Sequence, residues 1–172
     1  CRSRRRWALS TASPNRSPSE PLGTTGSPVT PNVTTLGNGT EPPNATIAPG
    51  GAATMADAFT FQTSTGTDAI TAVTVTLAPG TRAGVSLIEI TNDAGSIVYG
   101  SVSDPSGDTP SIPLTTPITA TTTVTQYKIR VTPKLHVAMP VPPGASYALT
   151  ASVSSWTGTN AQAGSNGGGT TI

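Results

Sequence analysis

The sequence predicts an all-β protein: an antiparallel sandwich of about seven strands, preceded by an extended Pro/Thr-rich N-terminal segment. Three observations carry that prediction. From about residue 54 to residue 155, stretches such as AVTVTL, SLIEIT, SIVYGSV, TQYKIRV and SYALTASVS alternate apolar and polar side chains, and Gly, Pro, Asn and Asp clusters separate them. Only 34% of residues are hydrophobic and 4% aromatic, a supply that suits two thin layers in which each strand turns every second side chain inward. No stretch shows an amphipathic helical period. At 172 residues the chain holds one ordinary domain and an extension.

Residues 1–53 read as the extension. A basic head, CRSRRRW, leads into a tract where Pro recurs at 14, 18, 21, 28, 31, 42, 43 and 49, which excludes helix and removes sheet donors. The first strand is expected over 55–62, with Phe59 and Phe61 on one face. STGTD turns the chain into 69–77, where Val73, Val75 and Leu77 alternate with Thr74 and Thr76. APGTRAG leads to a third strand over 84–91, and NDAG forms a tight hairpin into 96–102.

SDPSGDTP is a loop. The next segment, 111–114, reads as a short edge strand because Pro110, Pro113 and Pro117 leave it poor in donors. Residues 122–132 place Tyr127, Ile129 and Val131 inward and Lys128 and Arg130 outward. PKLHVAMPVPPG is a connection, and 146–154 buries Tyr147, Leu149, Ala151 and Val153. The domain therefore spans 54–155, and residues 156–172 form a Gly-rich tail or a final strand.

Charged residues make up 10% of the chain against a typical quarter or so. Thr, Ser, Asn and Gly supply the hydrophilic surface instead, a style expected outside cells. Five Arg face two Glu before Gly50, whereas four cations face six carboxylates after it, so the folded part is not basic and nucleic-acid binding is not expected. A single cysteine, Cys1, gives no intrachain disulfide; it is weighed as a lipidated mature terminus against a free thiol. No stretch has the roughly 20 apolar residues of a transmembrane segment.

The candidate chemistry is sparse. His136 is the only histidine and lies in a Pro-rich connection, which excludes a multi-imidazole metal site, and no GxSxG elbow is present. No catalytic residues and no cofactor are expected. Asp93, Asp104 and Asp108 lie in neighbouring loops and are candidate Ca²⁺ ligands, because Ca²⁺ takes six to eight oxygens, although the same residues are ordinary turn formers. Asn32, Asn38 and Asn44 each head an Asn-x-Thr triplet and are candidate glycan acceptors; Asn15 heads an Asn-x-Ser. Trp156, with Tyr99, is a candidate ring for stacking on sugars, and Trp156 equally a plug for the end of the sandwich. The Arg4, Arg5, Arg6 and Trp7 cluster is a basic end.

The stretches DAFTFQTSTGTDAITAVTVTL, LIEITNDAGSIVYGSV, TQYKIRVTPK and PPGASYALTASVSSWTGTNAQAGS resemble the immunoglobulin-like or fibronectin-III-like modules repeated in large bacterial surface and secreted proteins. The resemblance implies a seven-stranded immunoglobulin-like β-sandwich and a structural, spacing or adhesive role at the cell surface or outside it. It transfers no site residues. The expected function is non-enzymatic: a building block, with self-association or neighbouring modules as partners, in which an extended segment such as NVTTL or NATIA adds as a strand to a filament neighbour. The alternative is an adhesin or carbohydrate-binding module that takes glycans.

Overall fold

The computed structural model describes residues 30–139 and 148–172, of which residues 31–172 form one compact unit. Nine strands follow in chain order: β1 Val33–Asn38, β2 Thr54–Thr63, β3 Asp68–Leu77, β4 Val85–Asn92, β5 Val98–Ser103, β6 Ser111–Ala120, β7 Thr125–Pro133, β8 Ala151–Thr157 and β9 Ala161–Gly164. Two 3-10 turns, Thr81–Gly84 and His136–Ala138, are the only helical pieces among the described residues, and no helix there is long and apolar enough to cross a membrane. The strands form one curled sheet in the order β8-β3-β6-β5-β4-β7-β2-β1-β9. Every pairing is antiparallel except β1 with β9, which run parallel from Val33 beside Ala161 to Leu36 beside Gly164.

The alternation predicted for the strands is what fills the interior. On β7, Tyr127, Ile129, Val131 and Pro133 are buried and the residues between them are not. On β3 the inward set is Ile70 and then Val73, Val75 and Leu77; the register against β6 slips between Ile70 and Ala72, and that slip restores the facing of the second half. Phe59 and Phe61 of β2 share the inner face as expected, and with Tyr127 and Trp156 they form a ring cluster whose centroids lie 5.5 to 6.1 Å apart. These four side chains join β2, β7 and β8 across the curl of the sheet. Aromatic contacts of this kind add about 0.5–1.5 kcal/mol each beyond the area they bury.

Three elements differ from the sequence reading. First, the compact unit begins at Pro31 rather than at residue 54, because NVTTL is not a free extension: residues 33–38 pair with β2 on one side and β9 on the other. Second, 111–120 is a ten-residue strand inside the sheet rather than a short edge. Its prolines are accommodated because Pro113 and Pro117 face outward, exposed, and the β5 side of β6 has a single register pair, Gly100 with Leu114, so the missing donors fall where the ladder is sparse. Third, the last long strand is Ala151–Thr157, displaced toward the C-terminus; residues 140–147, including the expected Tyr147, lie outside the described residues. Nine strands in one curled sheet thus stand where about seven were expected.

The C-terminal residues supply both a strand and a seam. After β9 the chain runs on beside β8: Leu149 and Ile172 exchange backbone hydrogen bonds of 2.9 and 3.0 Å, and Gly169 N–H donates to Ala151 O at 3.0 Å. On its other side Gly167 N–H donates to Asn38 Oδ1 (2.5 Å), Thr171 N–H to Asn44 Oδ1 (3.1 Å), and Ala45 N–H to Thr171 O (3.3 Å). The tail therefore closes the space between the two ends of the sheet, and exposed edge donors are covered.

Candidate functional site

Buried carboxyls, not the predicted loop acids, are the chemically distinctive groups. Asp57 sits on β2 beside the register slip between Met55 and Asp57 and is fully buried. Among the described residues neither of its oxygens meets a hydrogen-bond donor at bonding geometry; the Asn166 amide, the Glu41 carboxyl and the Ala58 N–H adjoin it without completing a bond. Burial, and then the neighbouring charge of Glu41, push the Asp57 carboxyl up to about 7. Glu41 is itself fixed by Ala58 N–H, which donates to its Oε2 at 3.2 Å.

Asp68 opens β3 with the opposite environment, although it is equally hidden at 1% exposure. Its Oδ2 accepts from the Thr34 hydroxyl at 2.7 Å, and its Oδ1 accepts from Thr159 N–H (2.7 Å) and the Thr159 hydroxyl (2.8 Å). Burial alone would raise its pKa, but these donors, with the Asn160 backbone N–H, outweigh it and hold the carboxyl below its ordinary value. Asp68 thereby ties β1, β3 and the β8–β9 turn together. Asn160 completes the lock by donating to Thr34 Oγ1 at 3.1 Å.

The predicted Ca²⁺ candidates are not brought together; each is used singly. Asp93 accepts from Gln126 at 2.6 Å and pairs with Lys128 at 3.0 Å, in that order the causes that hold its carboxyl low. Asp104, in the left-handed region at φ 43, pairs with Lys134 at 3.1 Å. Asp108 accepts from Gly80 N–H (2.8 Å) and Arg82 N–H (3.3 Å), pinning the 3-10 turn. Among the described residues no group of three or more His, Cys, Asp or Glu is placed to hold a metal ion.

Trp156 is inside the fold, 8% exposed, with its ring on Phe61, so its face is not offered to a sugar. Tyr99 is half-buried against Tyr127, 5.7 Å between centroids. The physical reason is the shortage of large side chains: a core this thin takes in the rings it has. Asn32, Asn38 and Asn44 are all exposed, but their side-chain oxygens are engaged, with Thr65, with Gly167 and with Thr171 respectively. His136 is exposed at the rim of an apolar cavity of about 580 Å³ whose walls include Ile47, Val85, Val131, Leu149 and Ile172. Cys1, Arg4, Arg5, Arg6, Trp7 and Asn15 lie outside the described residues.

Sequence reasoning passed over Asp57 and Asp68, yet a signal was present. Asp57 shares parity with Phe59 and Phe61, and Asp68 with Ile70, so each acid stands in the inward register of its strand. An acid in that position is either neutral or densely bonded, and the fold supplies one of each. Glu41 and Asn166 had no such signal, because only the closing of the tail brings them to Asp57. Compared with known proteins, the chain matches no family model and no curated protein.

Proposed function

We propose that the chain is a non-enzymatic structural module of a bacterial cell-surface or extracellular protein, immunoglobulin-like or fibronectin-III-like in kind, which serves as a load-bearing spacer or a subunit of an assembly. The observation that carries the reading is the parallel pairing of β1 with β9, continued by the bonds from residues 38–45 to the tail. A pull applied through the chain before β1 and beyond the tail acts along these two parallel segments. It loads their hydrogen bonds together, in shear, rather than one at a time. Asp68 reinforces the same seam through β1, β3 and the β8–β9 turn. A surface of Thr, Ser and Asn with few charges supports an extracellular setting.

Self-assembly by strand addition needs a donor segment. NVTTL and NATIA, the segments expected to play it, are both engaged within the molecule, as β1 and through Ala45 and Asn44. Any added strand therefore comes from elsewhere in the chain or follows release of one of these. Pulling single molecules from their two ends, against pulling through cysteines placed at the facing ends of one antiparallel hairpin, tests the spacer reading: several-fold higher rupture force in the end-to-end direction is expected. Equal forces, together with strictly monomeric particles by negative stain, would defeat it.

A further inference from the structure

We propose that residues 165–172 form a proton-operated latch, which stays closed over the buried Asp57 carboxyl while it holds its proton and loosens when that proton is lost. The geometry brings three segments to one point. Asp57 comes from β2, Glu41 from the stretch between β1 and β2, and Asn166 from the tail. The Asn166 side chain spans the seam, accepting from Val153 N–H of β8 (2.7 Å) and donating to Ala58 O of β2 and Asn38 Oδ1 of β1 (3.4 Å each). Gly169 lies so close behind that a Cβ there would stand 2.7 Å from Ala151 O and 2.8 Å from the Asp57 Cβ, so the tail backbone is what seals the acid from water.

Among the described residues no cation acts on Asp57. Across the sheet Asp57 faces Ile129 of β7, and the flanking Lys128 and Arg130 are engaged with Asp93 and Glu89. Among the described residues Glu41 is the one charged side chain that acts on Asp57; β8 and the tail offer it only backbone and the Asn166 amide. With its proton present, Asp57 is a neutral acid and its burial carries no charge. When the proton leaves to water, the Asp57 carboxylate is left buried with neither oxygen hydrogen-bonded among the described residues and with the exposed Glu41 carboxyl beside it, and the relief available is to admit water by lifting the tail. The sign is set by Asp57 lying at about 7 in the folded state against an ordinary 3.8: its stabilising contribution is complete below about pH 4 and is lost as pH rises through about 7.

The test is hydrogen exchange of the full chain read by mass spectrometry on C-terminal peptides, with rates corrected for intrinsic base catalysis. Protection across 165–172 is expected to fall about 100-fold between pH 5 and pH 8, up to tenfold for each pH unit below 7 and levelling off above it, while β3 and β7 amides keep theirs. Asp57→Asn, a neutral isostere that still donates toward Glu41, is expected to flatten the response, and Glu41→Gln to reduce it. Wild-type protection independent of pH, or an unchanged response in Asp57→Asn, would overturn the latch. So would millimolar Ca²⁺ restoring protection at pH 8.5 in wild type but not in Asp57→Asn, which would give the pair to a cation instead. None of these outcomes depends on whether the module bears load or assembles.

Discussion

Replacing Asp68 tests how much of the fold hangs on one carboxylate. Three hydrogen bonds converge on it, from Thr34 and twice from Thr159, at 2.7 to 2.8 Å. Bonds to a charged acceptor contribute about 1.5–3 kcal/mol each when measured singly, and they share a charge here, so the sum is not additive. Asp68→Asn keeps the shape and one acceptor oxygen, and the Thr34 hydroxyl can turn to accept; the expected loss is about 2–3 kcal/mol. Asp68→Ala leaves the buried Thr34 O–H without an acceptor and frees Thr159 from the seam, and is expected to remove about 3–5 kcal/mol, a large share of a typical 5–15. Because the carboxyl is held below its ordinary value, the folded state binds fewer protons than the unfolded one. Its contribution is then present above the unfolded value near 3.8 and is lost as pH falls through the folded one. Urea unfolding followed by tryptophan fluorescence, from about pH 7 down to about pH 2.5, should show a wild-type advantage over Asp68→Asn that is constant above about pH 5 and shrinks in acid. An advantage below about 0.5 kcal/mol, or one that does not change with pH, would refute the lock.

Other substitutions probe other parts of the argument. Phe61→Ala removes the ring that touches Phe59, Tyr127 and Trp156 and is expected to cost about 3–5 kcal/mol, with red-shifted Trp156 emission as water reaches the indole. Gly95→Ala, at φ 71 in the β4–β5 turn and with the Met55 methyl 2.5 Å from the new Cβ, is expected to cost about 1–3 kcal/mol by chemical denaturation. Gly169→Ala is expected to loosen the tail, read as lost exchange protection over 165–172 with the β3 and β7 amides unchanged. Added Ca²⁺ at about 5 mM and neutral pH is expected to leave the melting temperature unchanged, since Asp93, Asp104 and Asp108 each already serve a separate local partner; a rise abolished by Asp104→Asn would show that the loops do converge on an ion.

The sequence alone determined the class and most of the inward residues. Period-two alternation is a local property, so Val73, Val75, Tyr127, Ile129 and Val131 were legible as core, as were the Phe59 and Phe61 face and the NDAG turn, where Gly95 N–H donates to Asn92 O at 2.9 Å. Alternation says nothing about which strand lies beside which, however, and there tertiary structure decided. NVTTL has the same local pattern as a free extension or as a strand, and it is β1 only because β2 and β9 are there to pair with it. The prolines of 111–120 forbade a central strand until the sparse β5 side of β6 received them. Trp156 was left open between a sugar-facing ring and a core plug, and the fold takes it inward against Phe61. The opposed fates of Asp57 and Asp68 are the clearest instance: the same side chain in the same register loses or keeps its proton according to what distant segments, 41, 166 and 159, bring to it. Charge on a buried group is fixed by its neighbours in space, and those neighbours are assigned only when the chain closes.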